Sequence, residues 1–293
     1  MVPRVLRQQL RSSGIGSLSA SFSHGVGSMA SSRPPLDGSR PLLLHGLTGS
    51  ARTWGAIILE GLRGAGFAPQ AVDLPGHGYR RGETDPEHFA LDAVLASIDE
   101  VPSVGPVIGY SMGGRIALHY ALRRPGRLTR LVLESASPGL DDERERVERR
   151  NEDEALAELL EAEGIGAFVD RWERMPLFAS HERLADRVRS ALREGRLAND
   201  PRSLAAALRG LGTGSLPSVS ERLGDLRLPV LLLVGELDTK FVAIGERMAG
   251  LLPDPRLVVV PGAGHTVHLE RPDAWLETVV GFLGPSADHT GRA

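Results

Sequence analysis

Cysteine is absent from the 293 residues, which removes disulfide frameworks, thiolate zinc sites and cysteine nucleophiles together. An excess of charge of one sign is also missing. The formal net charge is −3, too small a field to draw in nucleic acid, and there is no acidic tail. No apolar run approaches the roughly 18 residues that a bilayer-spanning helix needs. What is left lies near globular averages, with 41% hydrophobic and 24% charged residues, enough for a sizeable core. The length suits one large domain carrying an insertion, or two small domains. The expectation is a soluble, cytoplasmic protein with no nucleic-acid partner, no membrane and no metal, as either a monomer or a homo-oligomer.

The N-terminus departs from this pattern. From Met1 to Pro35 the chain carries Arg4, Arg7, Arg11 and Arg33, many serines, and no acidic residue before Asp37. Such a composition can mark an organelle transit peptide, but no Arg-faced amphipathic helix accompanies it. A secretory signal would need an apolar stretch of about 7–15 residues, and none is present. The segment 1–38 therefore reads as a disordered extension, with Met29 as an alternative start.

From Pro41 onward short apolar runs alternate with helical stretches. The runs are Pro41–Leu44, Phe67–Val72, Val104–Ile108, Leu128–Leu133, Pro229–Val234 and Leu257–Val260. Their length, their Leu and β-branched content and their Gly, Pro and Asp flanks read as buried strands of a parallel sheet. Pro106 cannot donate to a ladder, so that strand starts at or after it. Helical stretches such as Gly113–Arg123 and Phe241–Leu252 supply the crossovers. The fold class is α/β, a doubly wound, mostly parallel sheet.

Between Ser135 and Leu226 the alternation stops. Asp141–Gly164 is dense in Arg and Glu with Ala and Leu at helical spacing, and helical stretches follow at Gly166–Met175, Glu182–Arg193 and Ser203–Leu211. An inserted helical cap over 136–226 is expected, between core segments 39–135 and 227–285, with a tail over 286–293. Most of the cap's charge run reads as a solvated helix face. Gly210-Leu-Gly-Thr-Gly214 has neither a preceding strand nor the G-x-G-x-x-G spacing, which excludes dinucleotide binding there.

The strongest chemical signal is Gly109-Tyr-Ser-Met-Gly113, which follows an apolar run and opens a helix. A strand-to-helix turn that tight needs almost no side chain two residues either side of Ser111, and it lifts the hydroxyl toward a helix N-terminus. A serine needs a base, and the base needs an orienting carboxylate. Both follow in the chain order serine, acid, histidine, each just past the carboxyl end of a strand. Asp238 ends the run from Val230, with Glu236 as rival acid, and His265 ends the Gly-rich loop after Leu257–Val260, with His268 as rival base.

His45-Gly-Leu47 follows the first strand, where a backbone N–H at Leu47 can join that of Met112 as an oxyanion donor. Asp73-Leu-Pro-Gly-His-Gly78 reads as loop architecture around the pocket. Arg115 stands one helical turn after Ser111 and can face the same pocket, which suits a substrate bearing carboxylates.

These residues resemble the 2-succinyl-6-hydroxy-2,4-cyclohexadiene-1-carboxylate synthases, the menaquinone-pathway branch of the α/β-hydrolase superfamily. The resemblance runs from about Pro41 to Leu283. It rests on His45-Gly-Leu-Thr-Gly49, the Asp73–Gly78 loop, Gly109-Tyr-Ser-Met-Gly-Gly-Arg115, Glu134-Ser-Ala-Ser-Pro-Gly-Leu140, Trp172 with Pro176-Leu-Phe-Ala-Ser180, Arg196-Leu-Ala-Asn-Asp200 and Gly235-Glu-Leu-Asp-Thr-Lys-Phe241. The cap motifs discriminate, because generic hydrolases share only the elbow. The resemblance implies an α/β-hydrolase fold and a cofactor-free lyase that removes pyruvate from an enolpyruvyl-bearing polycarboxylate. Ser111 would take a ring proton, with no acyl-enzyme and no water. It also implies that Arg115, Arg149 and Arg196 bind carboxylates, with Arg146 and Arg150 one helix slip away from Arg149. Tyr110 and Trp172 match pocket-lining positions, and Phe178 and Lys240 lie in the matching motifs. The chain departs from most members in lacking a clear two-strand meander before Pro41 and in carrying Gly105-Pro106 ahead of the elbow.

Two other readings compete. A carboxylesterase or C–C bond hydrolase would use the same triad covalently, with water access and no arginine cluster. A non-catalytic binding protein on the same fold is the other, and the intact triad speaks against it. A haloalkane dehalogenase is excluded, since it needs a carboxylate where Ser111 stands.

Overall fold

The computed structural model describes residues 40–101 and 105–284. The expected extension over 1–38 and tail over 286–293 lie outside the described residues, as does any meander before Pro41. The described chain forms a six-stranded sheet in the order β2-β1-β3-β4-β5-β6, parallel throughout. The strands are β1 (Leu42–Leu44), β2 (Gln70–Val72), β3 (Val107–Tyr110), β4 (Leu131–Glu134), β5 (Val230–Gly235) and β6 (Pro255–Val260). Each overlaps one of the predicted runs. Proline stands at two boundaries, and the first agrees with the expected start at or after Pro106. β3 begins one residue after Pro106, whose carbonyl still accepts from the Leu42 N–H at 2.9 Å. β6 begins at Pro255 itself, tolerated because it is the first residue of an edge strand.

Side chains alternate between the two faces of the sheet, as the period of a strand requires. Leu42, Leu44, Val107, Leu131, Leu133, Val230 and Leu232 pack on one face with Ile98, Ile116, Tyr120 and Met248. Leu43, Ile108, Val132, Leu231 and Leu233 pack on the other with Trp54, Ile58, Trp275 and Val279. The helices that cover these faces are α1 (Gly55–Gly64), α2 (Leu91–Asp99) and α3 (Met112–Arg123) before the insertion. Because both faces are covered, the central strands read as continuous apolar runs.

From β1 the chain steps outward to β2 and then returns to the far side of β1 as β3. The loops after β1 and β3 therefore diverge at the topological switch point, where open α/β sheets bind ligands. The loop after β1 carries His45–Gly49, and the turn after β3 carries Ser111.

No strand occurs between β4 and β5. The helical segment α4 (Glu143–Glu173) is broken at Gly164, which takes φ 80°, so the two predicted stretches on either side of Gly164 are distinct helices. Then come α5 (Asp186–Leu197) and α6 (Pro201–Leu211). Asp142 caps α4 by accepting from the Arg144 and Glu145 N–H groups, and Asp200 caps α6 with Pro201 at its first position. Leu156, Leu160, Phe168, Trp172, Phe178, Leu204 and Leu208 form a third apolar cluster within this insertion. Arg209 on α6 bonds Glu154 and Glu161 on the exposed side of α4, a solvated pairing worth little by itself. After β5 come α7 (Thr239–Ala249), α8 (Val267–Glu270) and α9 (Pro272–Leu283). Among the described residues, no helix is long and apolar enough to cross a membrane.

Candidate active site

Ser111 sits at φ 50° and ψ −111° between β3 and α3, a conformation that non-glycine residues rarely adopt. The neighbours explain how it is held. A Cβ at Gly109 would run into the Gly113 carbonyl oxygen, and one at Gly113 into the carbonyl of Leu44. Both positions must be glycine for the turn to close against β1. The Ser111 N–H donates to the Glu134 carbonyl at 2.9 Å, tying the strained residue to β4.

His265 Nε2 lies 3.1 Å from Ser111 Oγ, and His265 Nδ1 lies 2.7 Å from Asp238 Oδ2. With a carboxylate at Nδ1, that nitrogen carries the proton and Nε2 is left to accept from the serine. Asp238 is fixed in turn as the N-cap of α7, its Oδ1 accepting from the Phe241 N–H at 3.3 Å. The Phe241 and Tyr110 rings flank His265 at centroid distances of 4.7 and 5.5 Å.

The two rivals have other partners. Glu236 is exposed and accepts from the Gly262 N–H at 2.9 Å. His268 is buried, with Nδ1 2.8 Å from Glu134 Oε1, and the other oxygen of Glu134 accepts from Trp275 Nε1.

Met112 opens α3, so its N–H is one of the first-turn donors without an intrahelical acceptor. Leu47 lies in a turn closed by a bond from the Gly49 N–H to the Gly46 carbonyl, with Thr48 at φ 68°. That turn is held by His45, whose Nε2 accepts from the Leu74 N–H at 3.1 Å and whose Nδ1 donates to the Gly46 carbonyl at 2.8 Å. Burial pushes the His45 pKa down to about 4, so it stays neutral and can play both parts. Burial, with His45 close by, pushes His77 down to about 3. Asp73 accepts from the Ala51 and Tyr79 N–H groups, an architectural task.

A stability prediction follows from the two histidines. Each has a folded pKa below its unfolded value, so the unfolded chain binds protons first as pH falls through about 6.5. Stability should drop between pH 6.5 and about 4, by about 1.4 kcal/mol per pH unit for each histidine. Urea titrations at pH 7 and pH 5 read this directly, and His45→Gln should flatten the slope. A midpoint that does not move over that window would contradict it.

The arginines form two groups. Arg115 is half-buried and its Nη2 donates to the Leu211 carbonyl at 3.1 Å; desolvation, with Arg149 nearby, brings its pKa down to about 10. Arg149 pairs with Asp153 at 2.9 Å, and burial raises the pKa of that carboxyl. Arg196 is 5% exposed, donates from Nη1 to Glu173 Oε1 at 2.9 Å, and lies 5.2 Å above the Phe178 ring. Phe178 in turn presents an edge contact to His265 at 6.0 Å and packs on Trp172 at 5.6 Å. A guanidinium has five N–H donors, so each arginine keeps donors beyond those spent on Asp153, Glu173 and the Leu211 carbonyl. Lys240 is exposed on the first turn of α7, and no hydrogen bond or ion pair joins it to the site among the described residues.

Sequence reasoning passed over Asp153, which lies in the charge run taken as solvated, and Glu173, which lies in the helical stretch after it. An Asp four residues after Arg149 on a helix was the available signal. It also passed over Thr266 and Glu270. Glu270 accepts from the N–H groups of Gly264 at 2.7 Å and Thr266 at 3.0 Å, clamping the loop on both sides of His265. A cavity of about 930 Å³ lies between α1, the 73–81 loop and α5. Its lining includes none of Ser111, Asp238 and His265.

The α/β-hydrolase family model matches residues 42–278. The chain belongs to the α/β-hydrolase family. Within it, this α/β-hydrolase is 32% identical over 247 residues to the 2-succinyl-6-hydroxy-2,4-cyclohexadiene-1-carboxylate synthase of Salmonella agona (strain SL483), covering 83% of this chain and 92% of that one. A Bacillus subtilis (strain 168) protein provisionally given the same synthase name is 38% identical over 274 residues, 92% of this chain and 99% of its relative. The chain is thus a member of that synthase branch. The solved structure of MenH from S. aureus superposes with a TM-score of 0.81 at 35% identity, covering 86% of this chain and 95% of that one.

Proposed function

We propose that this α/β-hydrolase is a carbon–oxygen lyase. It would convert 2-succinyl-5-enolpyruvyl-6-hydroxy-3-cyclohexene-1-carboxylate to 2-succinyl-6-hydroxy-2,4-cyclohexadiene-1-carboxylate and pyruvate, in menaquinone biosynthesis. The observation that carries the reading is a hydrogen-bonded Ser111–His265–Asp238 triad in a chain whose cap supplies the buried Arg196 and the half-buried Arg149. Membership of the synthase branch supports it.

In this mechanism Ser111 Oγ gives its proton to His265 Nε2 as it takes a ring proton from the substrate. The electron pair left on carbon moves to expel the enolpyruvyl oxygen, breaking the C–O bond. The departing enolate takes the proton held on His265, leaving as pyruvate, and the ring proton on Ser111 returns the triad to its starting state. No bond forms between enzyme and substrate. The Leu47 and Met112 amides would stabilise the developing oxyanion, as preorganised donors do most effectively away from water. Arg115, Arg149 and Arg196 would hold the carboxylates, Tyr110, Trp172 and Phe178 would line the pocket, and Lys240 would approach only its rim. The implied substrate is a small polycarboxylate and no cofactor is required. A cytoplasmic location fits such a biosynthetic step.

The test is pyruvate release from the enolpyruvyl intermediate, generated in situ by the preceding enzyme, with p-nitrophenyl esters in parallel. Rapid pyruvate release with weak ester cleavage is expected. Brisk ester cleavage without pyruvate would make the protein an esterase. In the same assay Arg115→Ala should raise KM about 10- to 100-fold with a smaller change in kcat, because a substrate carboxylate loses its partner. An unchanged KM would remove Arg115 from the substrate site.

A further inference from the structure

Thr266 follows the histidine of the triad, and Tyr110 precedes the serine. Their hydroxyls meet at 2.8 Å, buried between the two loops. This bond spans the same gap as the Ser111–His265 contact, one residue to the side. Thr266 is 3% exposed and its main chain is already fixed by Glu270, so its hydroxyl is a rigid anchor for Tyr110. The partner on the other side comes from the cap. His181, in the 3₁₀ segment Pro176–Arg183, places Nε2 3.0 Å from Thr266 Oγ1. One hydroxyl therefore joins three segments: the elbow, the base loop and the cap.

A threonine hydroxyl has one proton and two lone pairs, so it can serve both neighbours at once. Either Tyr110 donates to Thr266 and Thr266 to His181, or both bonds run in reverse. Both arrangements need a neutral imidazole or tolerate one. Burial, with Arg196 nearby, brings the His181 pKa down to about 3, which keeps it neutral. His181 also packs on Phe178 at 5.1 Å, and Phe178 touches His265. A shift of the cap segment thus reaches the triad base by a packing contact and by this hydrogen-bonded chain.

We infer that Thr266 is a positioning residue that sets the Ser111–His265 separation, and that His181 transmits the seating of the cap to it. The inference rests on the proposed function only in taking Ser111 and His265 as the reacting pair. A misplacement of about 1 Å between reacting groups can cost about 100-fold in rate, so a small adjustment here is enough to matter.

The test uses the full chain and two readouts, the second-order rate of Ser111 sulfonylation by phenylmethylsulfonyl fluoride and kcat with KM for pyruvate release. Thr266→Val keeps the shape and removes the hydroxyl. It should lower both the labelling rate and kcat about 10- to 100-fold, with KM within about twofold, and Thr266→Ser should restore most of the loss. His181→Ala should lower labelling by a smaller factor and add nothing in the Thr266→Val background, as members of one network do. Melting temperatures separate these effects from misfolding. A Thr266→Val enzyme that labels at the wild-type rate, or a Thr266→Ser enzyme as slow as Thr266→Val, overturns the role of Thr266. Additive losses in the double variant overturn the link to His181. If the wild-type serine labels while no pyruvate is released, the synthase reading fails and the Thr266 inference stands or falls on the labelling rates alone.

Discussion

Ser111→Ala is expected to leave a folded protein with less than a few per cent of wild-type pyruvate release, about a 10³-fold fall in kcat, within the range that positioned proton transfer supplies. Stability should move by less than about 1 kcal/mol, since a half-exposed hydroxyl is lost and the backbone strain at φ 50° is the same for alanine. KM should change little, because the hydroxyl serves the reacting proton and not the carboxylates. The same residue separates the lyase from its covalent relatives. Rapid quench of the wild-type enzyme in turnover should give an unmodified Ser111 peptide by mass spectrometry. An acyl adduct there, or more than a few per cent activity in Ser111→Ala, would sink the proton-transfer mechanism.

Most of the sheet was legible because both its faces are buried. A strand covered on two sides reads as a nearly continuous apolar run, and β1, β3, β4 and β5 are buried at every residue, with Glu134 at the end of β4 the one charged exception. β6 was read two residues short. As an edge strand starting at Pro255 with exposed Arg256, it gives no apolar signal at its beginning. The break in α4 was legible for another reason. Gly164 takes a positive φ in mid-helix, and the loss of helical periodicity at Gly164–Gly166 marked two stretches where one long helix would otherwise be read.

Ser111, Asp238 and His265 were legible through local context, each past a strand end and within three residues of a glycine. Glu134 in β4 and Glu173 in α4 were not, because their tasks depend on tertiary neighbours. Glu134 is a carboxylate inside a strand, fully buried, bonded to His268 and Trp275 from a segment more than 130 residues away. Nothing in a four-residue window announces that. Glu173 sits near the end of the helical stretch after Gly166, and only the fold brings it to Arg196 on α5. The hydroxyl of Thr266 is the extreme case, since Tyr110 and His181 reach it from 156 and 85 residues earlier in the chain.

Asp238→Asn probes the orienting carboxylate with almost no change in volume. Asparagine can still cap α7, because its carbonyl oxygen can accept from the Phe241 N–H as Asp238 Oδ1 does. The fold and the loop should therefore survive. What changes is the second oxygen, 2.7 Å from His265 Nδ1. If an amide NH₂ faces that nitrogen, Nδ1 becomes the acceptor and the imidazole proton moves to Nε2, pointing at Ser111. In that tautomer His265 cannot take the serine proton, and it also loses the charge that stabilises its imidazolium. The expected result is a fall in kcat of about 10³- to 10⁴-fold with KM and melting temperature close to wild type. Glu236→Gln is the matched control. Glu236 is exposed and bonded to the Gly262 N–H, so it should retain most activity. Equal losses in the two variants, or a fall of less than about tenfold in Asp238→Asn, would mean that the carboxylate beside His265 does not set its tautomer.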